Sequence, residues 1–219
     1  MAAPPPPPTP TRRYIALEGN IGAGKTTLID GMSVLRPGWE LLREPVDLWG
    51  EALCAFYAEP RNNSFFFQME ILRTRVQQLQ EAASPPHVLP LTERCVQSSS
   101  HVFVRSLVQA GLMSPAEHAA YTRWFEFVDA HVLRHHLAGI VYIDTPAEVC
   151  LMRSRLRARE GETSIPLDYI QHIGRTYASW LEQAEAEGVP VIRIDGSMRP
   201  EEIVAEGIRA IERLRDVVA

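Results

Sequence analysis

Gly19-Asn20-Ile21-Gly22-Ala23-Gly24-Lys25-Thr26 is the stretch that decides the fold. It has the spacing G-x-x-x-x-G-K-[ST] and stands between an apolar run, Tyr14 to Leu17, and a helical pattern from Lys25 to Met32. Glycines let a backbone wrap closely around phosphate oxygens with several N–H groups pointing inward, and the helix that follows aims its positive end at the anion. In such a loop Lys25 reaches the β and γ oxygens, Thr26 offers its hydroxyl to Mg²⁺, and Thr27 extends the ATP-binding stretch. The bland alternative is a glycine-rich turn without a ligand. The complete match and both correct flanks stand against it. Nucleotide binding follows from this, but the choice among kinase, NTPase and switch does not.

Outward from the loop, short apolar runs recur at Tyr14 to Leu17, Trp39 to Leu42, Val88 to Leu91, Ile140 to Ile143 and Val189 to Ile194. Several are β-branched, as strands buried on both faces should be. Ser114-Pro115-Ala116-Glu117 and Thr145-Pro146-Ala147-Glu148 both read as helix starts: a capping hydroxyl, Pro at the first helical position and Glu at the third. The first opens a helix through Tyr121 and Phe125, the second one that runs to about Arg159. The pattern predicts an α/β fold of the three-layer P-loop NTPase kind. Its five-stranded parallel sheet carries helices on both faces and a helical lid, with the ligand at the carboxyl ends of the strands.

One domain over residues 13–219 suits 219 residues with 46% hydrophobic composition. Before it, residues 1–12 hold Pro4 to Pro8 and Pro10, the composition of a polyproline or disordered tail. Met1 to Pro10 lacks the basic and apolar regions of an export signal, and no apolar run is long enough to span a membrane. The expectation is a protein of the cytoplasm or nucleus, with no membrane partner. Cys54, Cys95 and Cys150 are odd in number and unpaired by motif, so they read as buried or half-buried thiols. A net charge of -5 does not suggest a surface that tracks nucleic acid. His131 and His135 have helical metal-pair spacing but no third ligand nearby in sequence, and read as a surface or interface pair.

Three further clusters carry chemistry. Arg43-Glu44-Pro45-Val46-Asp47-Leu48-Trp49 ends the second strand and puts a carboxylate, Glu44, at the edge of the phosphate crevice as a candidate general base. Thr92-Glu93-Arg94 ends the third strand at the same rim. Arg153, Arg157 and Arg159, with Arg155 between them, lead into Glu160-Gly161-Glu162-Thr163-Ser164. A solvated basic face is the default reading of such a run, but phosphoryl transfer needs cations around the migrating group.

Taken in order, Glu18 to Thr27, Glu44-Pro45-Val46 with Trp49, Tyr57, Phe67-Gln68, Glu93-Arg94, the arginine run and Ile165-Pro166-Leu167 resemble the deoxyribonucleoside kinases of the deoxycytidine, deoxyguanosine and insect multisubstrate type. They are similar, too, to the cellular-type thymidine and nucleoside kinases of some large DNA viruses. The resemblance runs from about Arg13 to the last helix. It implies transfer of the γ-phosphoryl of ATP, with Mg²⁺, to the 5′-hydroxyl of a deoxynucleoside, and a homodimer formed through the helices of the middle segment. Residue by residue, it implies that Glu44 accepts the hydroxyl proton beside Arg94, and that Glu93 joins Thr26 around the metal. Trp49 and Leu53 would wall the substrate pocket, Tyr57 and Glu162 hold the 3′-hydroxyl, Phe67 and Phe103 sandwich the base and Gln68 read its edge. Arg153, Arg157 and Arg159 would form the lid clamp, and adenine would lie near Asp195 to Pro200. Phe65 and Phe66 read as core.

Two other functions compete. Thymidylate kinases share the loop, the Glu-Pro and a basic lid, but usually follow Glu-Pro with Gly-Gly-Thr and place Asp-Arg-Tyr at strand three, where this chain has Val46-Asp47-Leu48 and Glu93-Arg94-Cys95. A non-catalytic sensor would need neither a base nor a clamp. One departure bears on the base recognised. Relatives that prefer deoxycytidine or deoxyguanosine carry an aspartate six residues after the glutamate of Glu-Arg, paired with an arginine. Here that site is Ser99, which leaves Arg75 as a free cation suited to the O4 of thymine. Thymidine and deoxycytidine are the expected substrates.

Overall fold

The computed structural model describes residues 12–82, 88–133, 135–158 and 165–218. Residues 1–11 of the proline-rich tail, Arg159 and Glu162 lie outside the described residues, while Arg12, expected in the tail, begins the first strand. Five parallel strands, β1 (Arg12–Gly19), β2 (Leu41–Leu42), β3 (Leu91–Glu93), β4 (His135–Asp144) and β5 (Val191–Asp195), form one sheet in the order β2-β3-β1-β4-β5. β1 is central, paired with β3 and β4, so the loop that leaves its carboxyl end opens at mid-sheet.

Strand alternation divides the core into two layers. Tyr14 and Ala16 of β1, with Ile140 and Tyr142 of β4, face one cluster. Ile15 and Leu17, with Val141 and Ile143, face the other. A strand buried on both sides gives this near-continuous apolar reading. Under the second layer lie α1 (Lys25–Leu35) and α9 (Pro200–Val218). They approach closely: a Cβ at Gly31 would stand 2.4 Å from Val204 Cγ2. Over the first layer lie α2 (Val46–Ala58), α3 (Pro60–Glu81), α4 (Val96–Ser98), α5 (Arg105–Gln109), α6 (Pro115–Phe127) and α8 (Leu167–Ala186). α7 (Ala147–Arg157) follows β4.

β1 and β4 begin earlier than the expected runs, at Arg12 and His135, and three strands begin later, for backbone reasons. Val88–Leu91 and Val189–Ile194 were the expected runs, but pairing begins at Leu91 and Val191, each after a proline. Pro90 and Pro190 have no N–H to give the ladder; their carbonyls instead accept from Ile15 and Ile140. Trp39 is spent in a turn, where its N–H donates to the Arg36 carbonyl, leaving β2 two residues long.

Ser114 caps α6 with Glu117 reciprocating, as its sequence signature requires. Thr145 does not cap α7. Pro146 holds that position, and the Thr145 hydroxyl donates to the carbonyl of Ala23 at 3.0 Å, tying the start of α7 to the glycine loop. Phe65 packs on the core, whereas Phe66 is 59% exposed, on the outer face of α3. His131 and His135 share no helix; the first sits in a π-helical stretch, Val128–Val132, and the second begins β4. Cys95 and Cys150 are buried and Cys54 half-buried, all as free thiols.

Candidate active site

The loop from Gly19 to Gly24 is held in shape by its own side chains. Lys25 Nζ donates to the carbonyls of Gly19 (3.1 Å) and Asn20 (2.9 Å), across the mouth of the loop. Asn20 accepts from the N–H of Ile21 and donates to the carbonyl of Ile170 on α8. Gly22 has φ 76° and packs so closely under α7 that a Cβ would meet the Cys150 carbonyl oxygen at 2.2 Å. Burial, helped by the nearby Arg94 charge, lowers the Lys25 pKa to about 8.

Two crevices open beside this loop. One is polar and runs over Gly22, Lys25 and Thr26 to Glu93 and Arg157. The other is apolar and aromatic, walled by Trp49, Leu53, Tyr57, Phe67 and Phe103, with Gln68, Arg75 and Ser99 as its polar groups. Glu44 and Arg94 line both, so the carboxylate stands where the two crevices meet. Thr26 Oγ lies 3.4 Å from Glu93 Oε1, and the other oxygen of Glu93 accepts from the Glu44 N–H at 3.3 Å.

Glu44 is held by two guanidinium groups on one oxygen. Arg75 Nη2 is 2.7 Å from Oε1 and Arg94 Nε is 3.2 Å from the same atom. Arg75 also donates to the Glu93 carbonyl at 2.8 Å. The free cation expected at Arg75 is therefore corrected: its side chain is 5% exposed, and its charge is matched by Glu44. With no carboxylate at position 99, Glu44 is the acid within its reach. Ser99 is buried, and its hydroxyl donates to the Cys95 carbonyl. Arg94 has a left-handed backbone, φ 63°, and lies over the Phe103 ring with 4.6 Å from guanidinium carbon to centroid. Burial opposes its charge, but Tyr177, Glu44, Glu18 and Glu93 outweigh that and hold its pKa above the ordinary arginine value.

The arginine run divides. Arg157 reaches the polar crevice beside Lys25 and Thr26. Arg153, expected beside it in the clamp, donates instead to the carbonyls of Ala23 (3.3 Å) and Gly196 (2.8 Å). Being one turn closer to the sheet, it braces the back of the loop.

Phe56 and Tyr169 also line the aromatic crevice and were missed in the sequence reading. Phe56 was findable. It follows Trp49 and Leu53 at helical spacing on α2, and it stacks on Phe67 with 5.0 Å between centroids. Ser99 and Phe103 share a π-helical stretch, Ser99–Val104, between α4 and α5, which no local sequence signal announced.

The deoxynucleoside kinase family model matches residues 15–217, and the chain belongs to that family. A thymidine kinase of ictalurid herpesvirus 1 is 31% identical over 94% of this chain and 91% of its own. A probable deoxycytidine kinase of fowlpox virus is 31% identical over 85% of this chain and 80% of its own. Human deoxycytidine kinase is 29% identical over 77% of this chain and 75% of its own. The chain is thus a nucleoside kinase that uses ATP, on a P-loop fold. Among the described residues, no helix is long and apolar enough to cross a membrane.

Because free Lys25 titrates near pH 8 and phosphate anions raise the pKa of a bound ammonium, binding takes up a proton above that pH. ATP affinity should be level just below pH 8 and fall above it, by up to about tenfold per pH unit. Lys25→Met should bind more weakly, with no such slope. Calorimetric titration between pH 7 and 10 reads both, and an equal decline in the two proteins would remove Lys25 as the cause.

Proposed function

We propose that the chain phosphorylates the 5′-hydroxyl of pyrimidine deoxynucleosides, with Glu44 as general base. The observation that carries this reading is the position of Glu44 on the wall shared by a phosphate-sized polar crevice and an aromatic slot. A hydroxyl entering from the slot meets a carboxylate there, and the phosphoryl group to be transferred approaches from the loop side. Arg94 and Arg75 orient the carboxylate; Lys25 and Arg157 supply positive charge where the transferring group gains negative charge. Arg153 supports the loop rather than the phosphate.

The Thr26 hydroxyl and the Glu93 carboxylate are hard oxygen donors close enough to share one small cation, which suits Mg²⁺. When bound, the metal neutralises charge on the β and γ phosphates. Phe67, Phe103 and Trp49 line the slot that would give a flat base its contact area, and Tyr57 on the same wall would meet the sugar. Gln68 is 3% exposed, and its Oε1 has no hydrogen-bond partner, so a ligand group can complete it. An amide serves thymine or cytosine by flipping, and Ser99 adds no negative charge that would select an amino group. Both pyrimidines are therefore accepted. The neutral rim at Ser99 carries this preference, since Arg75 already has a partner.

Self-association rests on an apolar face where Phe66 of α3 and Trp124 and Phe127 of α6 are each about half exposed or more, beside Met69 and Val128. A homodimer through these helices should sediment as a single species of twice the chain mass; a monomer at micromolar concentration would sink it.

Glu44→Gln should keep nucleoside and ATP binding but lower kcat by about 10² to 10⁴, the usual contribution of a positioned base. Near-native turnover would take Glu44 out of the mechanism. Ser99→Asp should draw Arg75 from Glu44 and offer an acceptor to the cytosine amino group. The ratio of kcat/KM for deoxycytidine over thymidine should rise about 10-fold to 100-fold. Steady-state kinetics on four deoxynucleosides measure it, and an unchanged ratio would end the role given to Ser99.

A further inference from the structure

Behind Arg94, on the side away from Glu44, lies a polar chain that the proposed reaction does not itself use. Tyr177 of α8 is fully buried, and its hydroxyl accepts from Arg94 Nη1 at 2.5 Å and donates to Glu18 Oε2 at 2.8 Å. Glu18 is the last residue before the glycine loop and is fully buried as well. A carboxylate can only accept, so the hydroxyl proton is committed to Glu18 and a lone pair of the same oxygen is turned to the guanidinium. The same Arg94 nitrogen donates to the Gly19 carbonyl at 3.0 Å. Nη1 is thus fixed from two directions, and Nε is left aimed at Glu44.

The ring of Tyr177 has little freedom to move. Phe103 meets it edge-on at 6.1 Å, Tyr142 lies 5.3 Å away and Trp180 6.2 Å, all between centroids. Phe103 is also the ring under the guanidinium carbon. One aromatic cluster therefore sets both the plane of Arg94 and the oxygen that holds its far end.

We propose that Tyr177 is a positioning residue for phosphoryl transfer: anchored on Glu18, its hydroxyl fixes Arg94 and, through Arg94, the orientation of Glu44. The inference rests on the reading of Glu44 as base with Arg94 as its orienting cation. The bland alternative is a buried triad that adds stability alone. The two differ in what they do to turnover. Loss of a packing contact lowers the melting temperature and leaves kcat near native at temperatures where the enzyme is folded. Loss of a positioning contact lowers kcat and leaves the KM values in place, because Tyr177 is fully buried and lines neither crevice.

The test is a cycle of Tyr177→Phe, Arg94→Gln and the double variant, assayed below the onset of unfolding with ATP and thymidine or deoxycytidine. Tyr177→Phe should lower kcat about 10-fold to 100-fold, with both KM values within about twofold of native. In the Arg94→Gln background the same substitution should cost almost nothing, since the group it positions is gone. A native kcat in Tyr177→Phe overturns the proposal, and so does a loss that adds in full to that of Arg94→Gln. If Arg94→Gln itself keeps its rate, the reading of the Glu44–Arg94 pair has failed, a result distinct from failure of Tyr177 alone. Should Tyr177→Phe not fold, Glu18→Met removes the acceptor at the other end of the chain with little change in volume. The same kcat loss, absent in the Arg94→Gln background, then supports the proposal, and a native kcat overturns it.

Discussion

The buried guanidinium of Arg94 is the point on which the site depends. It sits at the carboxyl end of β3 in a left-handed backbone conformation, φ 63°, a state that costs a side-chain-bearing residue about 1 to 3 kcal/mol and persists only where its surroundings hold it. Here they do. The backbone N–H is bonded to the Leu17 carbonyl of β1, and the side chain touches the first residue of the glycine loop, the carboxylate at the crevice junction and an aromatic ring. A positive charge so deeply buried would be expensive alone; Glu44 and the hydroxyl of Tyr177 pair with it directly, and Glu18 stands behind them. Strand three, the loop after strand one, and the helices that carry the aromatic residues are therefore braced around one cation.

Much of this was legible in the chain. The loop motif carries its own geometry: a glycine spacing, a lysine and a hydroxyl residue, flanked by a strand and a helix. Glu93 and Arg94 come at the carboxyl end of the strand beside β1, and Glu44 follows the next strand out, so parallel topology alone brings them to one rim. Trp49, Leu53, Phe67, Gln68 and Phe103 meet in one slot as the resemblance implied. What could not be read is which charge pairs with which. Arg75 and Glu44 are 31 residues apart, and no local pattern distinguishes an arginine that faces a ligand from one that faces a carboxylate of its own chain. Arg153 and Arg157 share helical spacing, yet the first is taken by two loop carbonyls that the sequence does not announce. Thr145 carries a capping signature, but a carbonyl of the glycine loop competes for its hydroxyl and wins. Pro90 and Pro190 did announce their effect, since a residue without an N–H cannot open a run of ladder donors. A reading by hydrophobicity alone passes over that.

The glycines of the loop serve two masters. Gly22 has the backbone freedom that a phosphate cradle requires, but its missing Cβ also admits the Cys150 carbonyl of α7. Arg153 and Thr145 bind the same loop from that side, through the Ala23 carbonyl. The cradle is built between β1 and α7 as much as for a phosphate, with the arginine-bearing helix packed directly against the loop.

Helix α3 bears on how such an enzyme can change over generations. Phe67 and Gln68 on its inner face line the aromatic slot, Thr74 accepts from the indole N–H of Trp49, and Arg75, two turns along, grips the Glu44 carboxylate. These four residues ride on one rigid rod. A substitution that tilts or slides the rod to admit a different heterocycle also shifts the grip on Glu44, so selection for a new substrate is at once selection on turnover. Lineages that broaden their diet by moving α3 must re-tune the carboxylate as they go. Changes at Ser99, on a separate element, leave the rod in place, yet an acid there would still compete with Glu44 for Arg75.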